Sequence, residues 1–514
     1  MDASYDVVVV GGGVAGTYAA WRLLTGDVSP TSGLPQAPAD RSVALFELSD
    51  RIGGRLESLI PPGTPSLRAE FGGMGFTALN KILNGLVKYF KLKAVQFPTG
   101  QGQNLIYTRG VRFPKSQAND PQVVPYRLEP SEQGKIPPQL IVDAIEAVLP
   151  GASGYSPEKW REVKRDFIYD GRHLNELGFW NFLSQNMSHE AFAYACDGIG
   201  HFFQVANWNC AEALPWFLGD GTAGYQTLAN GYDELPLTVF NAFTSAGGKI
   251  SMSTEVVAVH QVTTGPQGET TMEVRLADGT VVTANAVVLA LPRRALERLG
   301  DDTVVLSEPP VRRMVESVTG QQVMKIFCCY EQAWWSESPL NITLGNSATD
   351  LPLGNVWYFG PDTSTGNALL LASYNDTLAT TYWAGLKTGP RYVPPGGTAD
   401  VDPHWVDQAP SDIMIEEVQR QVAELHGLAT IPAPYSAAFR DWTEDPYGGA
   451  FNTWNVGIDA ETIARKMVQP DDAVPLYVCG EAYSHDQGWA EGALDTAEQV
   501  VKKLGVGPAA WLGS

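Results

Sequence analysis

Ser484, His485 and Asp486 stand side by side in GEAYSHDQGWAEGALDTAEQV (480–500), and they are the three residue types of a hydrolase triad. Working triads draw their members from distant positions in a fold, whereas consecutive residues seldom converge on one reacting atom. No G-x-S-x-G elbow surrounds Ser484 either. The hydrolytic reading is set aside, and His485 and Asp486 read as loop and capping residues. A different chemistry is written near the other end, where Gly11-Gly-Gly13-Val-Ala15-Gly16 fits G-x-G-x-x-G. Its glycines give a tight turn, close approach of backbone N–H groups to a pyrophosphate, and close helix–sheet packing. The seven histidines show no metal-ligand spacing with one another or with cysteine, so no metal is expected.

These residues need elements to position them. YDVVVVGGGVAGTYAAWRLL (5–24) reads as strand, turn and helix. Segment 26–41, rich in Pro, Gly and Ser, reads as a surface loop, and Val43–Glu47 as a second buried strand completing a βαβ unit. Glu47, at that strand's end, is placed to accept hydrogen bonds from an adenosine ribose. Two further glycine clusters follow, Asp50-Arg-Ile-Gly53-Gly54-Arg55 and Glu70-Phe-Gly72-Gly73-Met74-Gly75. Either alone reads as an ordinary turn; together they suit a long cofactor laid along the backbone, with Arg55 balancing phosphate charge.

Trp, Phe and Leu at helical intervals predict a mainly helical region over 158–218. EVRLADGTVVTANAVVLALP predicts a hairpin at Asp278-Gly279. A Pro/Gly-rich excursion at 389–403 precedes a predicted helix at 411–426. The chain closes with a strand at 476–480 and a helix whose apolar face includes Ala493, Leu494, Ala497 and Val501.

At 514 residues the chain is predicted to form two or three structural units. With 57 acidic against 35 basic residues and a formal charge of -22, nucleic acid and anionic lipid are not expected partners. Five cysteines without a C-x-x-C pair, and a strand that starts almost at the first methionine, lead to the expectation of a cytoplasmic protein with no membrane span.

Together the glycine motifs resemble the flavin-dependent amine oxidase family, and GEAYSHDQGWAEGALDTAE resembles that family's last flavin-binding segment. The resemblance implies a mixed α/β (α+β) fold: a Rossmann-like FAD-binding domain, a second substrate-binding sheet domain and a helical subdomain. It divides the chain into FAD-binding parts at 1–80, 235–310 and 446–514, substrate-binding parts at 81–115 and 311–445, and a helical subdomain at 116–234. It also implies cofactor contacts at Gly11, Gly13, Ala15, Gly16, Glu47, Gly54, Arg55, Gly72, Gly73, Met74, Val256, Glu481, Gly488 and Trp489. Covalently flavinylated relatives carry a cysteine where this chain has Ala450, so the FAD is expected to be non-covalent.

The L-amino acid oxidase branch gives the nearest likeness, through Gly480-Glu-Ala-Tyr and Gln487-Gly-Trp489-Ala-Glu-Gly492. It implies Trp489 and Trp454 as pocket walls and Tyr374 as a partner of the substrate carboxylate. Lys325 shares a strand face with Val323, Phe327 and Cys329; it is buried if that face is inward and exposed if Met324 and Ile326 point inward. The residues leave both open, and the resemblance favours burial, since the family places here a lysine that holds a water beside the flavin. One position departs from the branch: Gly75 stands where these oxidases carry a carboxylate-binding arginine. Either another residue such as Arg109 takes that role, or recognition is weak, or the substrate is an amine without a carboxylate. Trp216, Phe217 and Asp220 are candidates for the substrate's far end.

The expected function is FAD-dependent oxidation of L-amino acids by O2 to 2-oxo acid, ammonia and hydrogen peroxide. The alternatives are oxidation of primary amines or polyamines, and a flavin-binding module without turnover. A homo-oligomer, dimer or larger, is implied by the family.

Overall fold

The computed structural model describes residues 4–26, 41–97, 99–206, 208–220, 224–264, 269–393 and 401–513. Residues 27–40 of the expected surface loop and 394–400 of the Pro/Gly excursion lie outside them.

A run such as Val7–Val10 is stable only where both faces are covered. The strand Ser4–Val10 accordingly lies inside a seven-stranded sheet, parallel to Val43–Phe46 on one side and to Val281–Leu289 on the other. Lys249–Ser251 and Leu476–Val478 extend the parallel set. The hairpin expected at Asp278-Gly279 joins Glu269–Leu276 to Val281–Leu289 in antiparallel register. One sheet is thus assembled from three distant stretches of chain.

The helix Val14–Thr25 packs between Glu234–Ser245 and the last helix, Ala490–Lys503. Its Arg22 is fully buried, donating to Glu498 at 2.6 Å, to the Tyr18 hydroxyl at 2.9 Å and to the Gly507 carbonyl at 2.7 Å. Tyr18 in turn donates to Glu498 at 2.7 Å. A buried cation is tolerable when it is paired in this way, and among the described residues only its Nε is left without a partner. Tyr18→Phe leaves the ion pair but removes one partner of each, so a loss of about 1–2 kcal/mol is expected. The readout is a lower denaturant midpoint with unchanged slope.

The second sheet runs in the order Ser436–Asp441, Val323–Tyr330, Ala368–Asp376, Asn355–Pro361, Gly345–Thr349, Leu105–Thr108, Val111–Pro114. Val323–Tyr330 is buried at every position because both its faces are covered. Met324, Ile326 and Cys328 pack with residues of the helix Asp412–His426, while Phe327 and Cys329 pack with Phe71 and Trp405. The helical region is built from Pro137–Val148, Pro157–Asp166, Phe179–Asn186, His189–Ile199 and Cys210–Asp220. Phe182, Leu183, Ala195 and Leu214 form part of its core.

Candidate functional site

A cavity of about 1120 Å³ runs from the C-terminal edge of the first sheet to the space between the second sheet and the helical region. At its first end the three glycine clusters meet. Gly13 and Gly53 bridge in parallel, and Cβ atoms added at Gly13 or Gly54 would approach only the other cluster's glycine, at 3.6 and 3.0 Å. Gly11, at φ 106°, and Gly16 are required by packing: a Cβ on Gly16 would lie 1.8 Å from the Gly11 carbonyl oxygen. The helix Val14–Thr25 opens here with no side-chain cap and no acid in its first turn, so its free N–H groups suit an anion.

Glu47 lines the cavity, accepting from Gly12 N at 2.5 Å and from Ser49 N and Oγ at 2.8 and 2.7 Å. Val256 and Leu291 continue the wall, and Ala450 lies on the same lining without a nucleophile. Glu481 is more occupied than the sequence suggests. Its carboxylate accepts from Asn452 N, Asn452 Nδ2 and Gly488 N at 2.8, 3.0 and 2.9 Å and pairs with Arg55 at 2.9 Å. It therefore acts on a ligand through Arg55, whose Nη1 also donates to the Ala450 carbonyl at 3.2 Å. Among the described residues the other guanidinium nitrogens of Arg55 have no partner. The last helix, too, begins without a side-chain cap, at Trp489, with Ala490 and Ala493 on the lining. Paired glycine backbones, two uncapped helix N-termini, a guanidinium with unspent donors and a carboxylate beside Gly12 fit the FAD implied by the sequence.

Lys325 is 1% exposed, but Met324 and Ile326 on the other face are buried as well, so the expected choice between an inward and an exposed face does not arise. Its Nζ donates to the Glu70 and Gly72 carbonyls at 2.9 and 2.6 Å and lies 4.6 Å from the centre of the Tyr374 ring. Burial pushes the amine down to about 7 and the Glu70 carboxyl up to about 8. Tyr374 lines the cavity, and its hydroxyl has no hydrogen-bond partner among the described residues. His201, for which the sequence offers no motif, lines the cavity with its ring 4.5 Å from Tyr374 and Nδ1 3.4 Å from Asp376. Only the packing of Gly200 and Ile199 against the second sheet brings it there, and nothing in the local sequence reports that.

Two expected site residues fall elsewhere. Arg109 is held on the surface by Glu190, at 2.8 and 3.1 Å, and lies over Tyr126, so it does not replace the missing arginine. Trp454 is buried behind the lining, its indole N–H donating to the Ser484 carbonyl at 3.1 Å; strand alternation brings Phe451 to the cavity instead. Trp489 does line the cavity, stacked on Tyr225 at 6.0 Å. Trp216 also reaches it, whereas Phe217 packs in the helical core and the side chain of Asp220 lies outside the described residues. Ser484 Oγ donates to the Glu481 carbonyl while His485 faces Glu461, so the adjacent trio does not converge.

Gly75 lines the cavity with no room for a side chain in its backbone position, since an added Cβ would sit 2.5 Å from the Gln226 carbonyl oxygen. Gln226 belongs to the strand Tyr225–Leu228, which carries the partner of Trp489. Gly75→Arg is therefore expected to strain this strand by about 1–3 kcal/mol and to lower kcat/KM about tenfold instead of adding carboxylate recognition. Steady-state kinetics on amino acids and matched amines check this.

The family model described as flavin containing amine oxidoreductase matches residues 14–504. Aplysianin-A of Aplysia kurodai is 27% identical over 98% of this chain and 90% of its own length. An L-amino-acid oxidase of Crotalus adamanteus is 24% identical over 71% of this chain and 65% of its own. A structure of putrescine oxidase with putrescine bound superposes with a TM-score of 0.68 at 15% identity, covering 98% of this chain and 99% of that one, and shows the same fold. The expectation of a cytoplasmic protein is corrected by these relatives, since aplysianin-A and the snake oxidase are secreted. That expectation rested on where the chain starts and on its cysteine count. All five cysteines are free and buried, a state compatible with either compartment.

Proposed function

The chain belongs to the flavin-containing amine oxidoreductases, and from that premise we propose that it oxidises L-amino acids with O2 to 2-oxo acid, ammonia and hydrogen peroxide. The observation that carries this reading is the grouping at Tyr374: a cavity-lining hydroxyl without a protein partner, a buried amine over its ring and His201 at its edge. A phenol so placed can donate to a substrate carboxylate while the stacked rings of Trp489 and Tyr225 wall the reacting carbon.

FAD, when bound, supplies the two-electron acceptor for the carbon–nitrogen bond and hands the electrons to O2. The uncapped N–H groups of Val14 and Ala15 and the free donors of Arg55 would hold its pyrophosphate, Glu47 its ribose and Val256 its adenine end, and the helix start at Trp489 would serve its ring. Lys325 lies behind the lining and braces the third glycine cluster through two carbonyls, and its remaining position at Nζ would be free for a water. The aromatic lining excludes further water and so strengthens each polar contact to the substrate.

Amine or polyamine oxidation is the second reading, and Gly75 is what favours it. A diamine would need an anionic partner for its distant ammonium. Among the described residues the carboxylates on the lining, Glu47, Glu255, Asp302 and Glu481, all belong to the cofactor end. Anaerobic mixing with L-amino acids and their decarboxylated amines separates the readings by loss of flavin absorbance. Bleaching by amino acids with peroxide released in air supports the first; bleaching by amines alone replaces it with the second. The homo-oligomer implied by the family is checked by light scattering.

A further inference from the structure

The cavity does not end at Tyr374. It continues between the second sheet and the helical region, and Lys115 stands on its wall there. The lysine Nζ donates to Asn346 Oδ1 at 3.0 Å. Asn346 is itself oriented, because its Nδ2 donates to Asn355 Oδ1 at 2.6 Å and Asn355 Nδ2 donates to the Ile199 carbonyl at 3.1 Å. Each amide in this relay is fixed with its oxygen toward the lysine side. An ammonium has three donors, so two remain for the cavity.

The chain carries a surplus of acid, yet no charged group among the described residues offsets this amine, and burial alone pushes it down to about 8. Besides Asn346, Thr99 and Gly100, that part of the lining carries apolar residues, Ile106, Ala118, Pro137 and Ile199, and Phe97 and Trp357, whose rings are 5.4 Å apart. Lys115 is half-buried, and a cation set against such walls still costs free energy unless an anion reaches it. Asn355 lies on the strand between them, pairing with Tyr374 on one neighbouring strand and with Ala348 on the other, and Asn346 shares the face of Ala348. Tyr374 and Asn346 are therefore two strand spacings across and two residues along from one another, roughly 12 Å.

Resting on the proposed L-amino acid oxidation, we propose that Lys115 anchors a second carboxylate at the far end of the substrate, several bonds from the reacting carbon, so that L-amino acids with long acidic side chains are preferred. The apolar walls take the intervening methylenes and the oriented ammonium takes the anion as a charge-assisted hydrogen bond.

The test compares kcat/KM for L-2-aminoadipate, L-glutamate and neutral L-norleucine in the wild-type holoenzyme, Lys115→Met and Lys115→Arg. Lys115→Met is expected to lose about tenfold or more on the diacids and to stay within about twofold on norleucine, with Lys115→Arg retaining the acid preference. Equal losses on all three, or diacid rates indifferent to the substitution, would overturn the assignment. Calorimetric titration with adipate gives a readout without turnover. Binding at least about tenfold weaker in Lys115→Met supports the anion subsite even if no amino acid is oxidised, and equal or absent binding in both proteins counts against it. Oxidation of norleucine with no role for Lys115 rejects this inference alone; no amino acid oxidised by any variant rejects the oxidase reading.

Discussion

Replacing Lys325 by methionine is expected to lower kcat by about two to three orders of magnitude while leaving a folded, flavin-loaded protein. The amine is enclosed and held by the carbonyls of Glu70 and Gly72. In its neutral form both hydrogens are spent on those carbonyls and the lone pair is left to accept a proton from water. Burial pushes the amine down to about 7, so the neutral form dominates above that pH. As pH falls through about 7 the amine protonates, the acceptor is lost and kcat falls with a one-proton slope. Methionine removes that limb along with the rate. A variant that keeps the wild-type rate, or keeps the limb at lower rate, would show that the lysine is not the titrating group.

The same shift appears in stability with a fixed sign. The folded amine titrates near 7 against an ordinary 10.5, so between these values the unfolded chain binds more protons and Lys325 adds stability as pH rises. Glu70, raised from 4.5 to about 8, works in the opposite direction between those two values, where the folded chain binds the extra proton. Melting temperatures of Lys325→Met should therefore lose part of the wild-type gain between about pH 8 and 10.

What the sequence disclosed follows from which signals are local. The strand, glycine turn and helix at 4–25, the hairpin at Asp278-Gly279 and the helix Asp412–His426 each depend on neighbours within a few residues, and each forms as expected. Glu47 and Trp489 reach the cavity lining because their place is fixed by a strand end and a helix start. Arg109 and Trp454 lie off the lining because a side chain's destination depends on partners that sequence spacing does not name: Glu190 is 81 residues from Arg109, and Phe451 and Trp454, an odd number of residues apart on one strand, point to opposite faces, which puts Phe451 on the lining and Trp454 behind it. His201 and Lys115 carry no motif. They become cavity residues only because the helical region closes over the second sheet, as the Asn355 to Ile199 hydrogen bond across 156 residues illustrates.

Arg55→Met tests the other end of the cavity and is expected to give a protein that purifies largely without flavin. Glu481 is 5% exposed, and its buried charge is balanced by Arg55 at 2.9 Å. Breaking a buried pair by removing one partner costs about 3–5 kcal/mol, because the remaining charge is uncompensated. Here that charge would also face a pyrophosphate, so loss of cofactor affinity by about 10²–10³ is the expected measure. Arg55→Lys keeps the charge and loses the fork, and should fall between the two. The double variant Arg55→Met/Glu481→Gln separates the causes. If the arginine serves only the fold, neutralising Glu481 restores both melting temperature and flavin content. If it also holds phosphate, stability recovers and flavin does not, because the donors that remain are the backbone N–H groups of the glycine turn, whose dipole charge is about half that of a guanidinium.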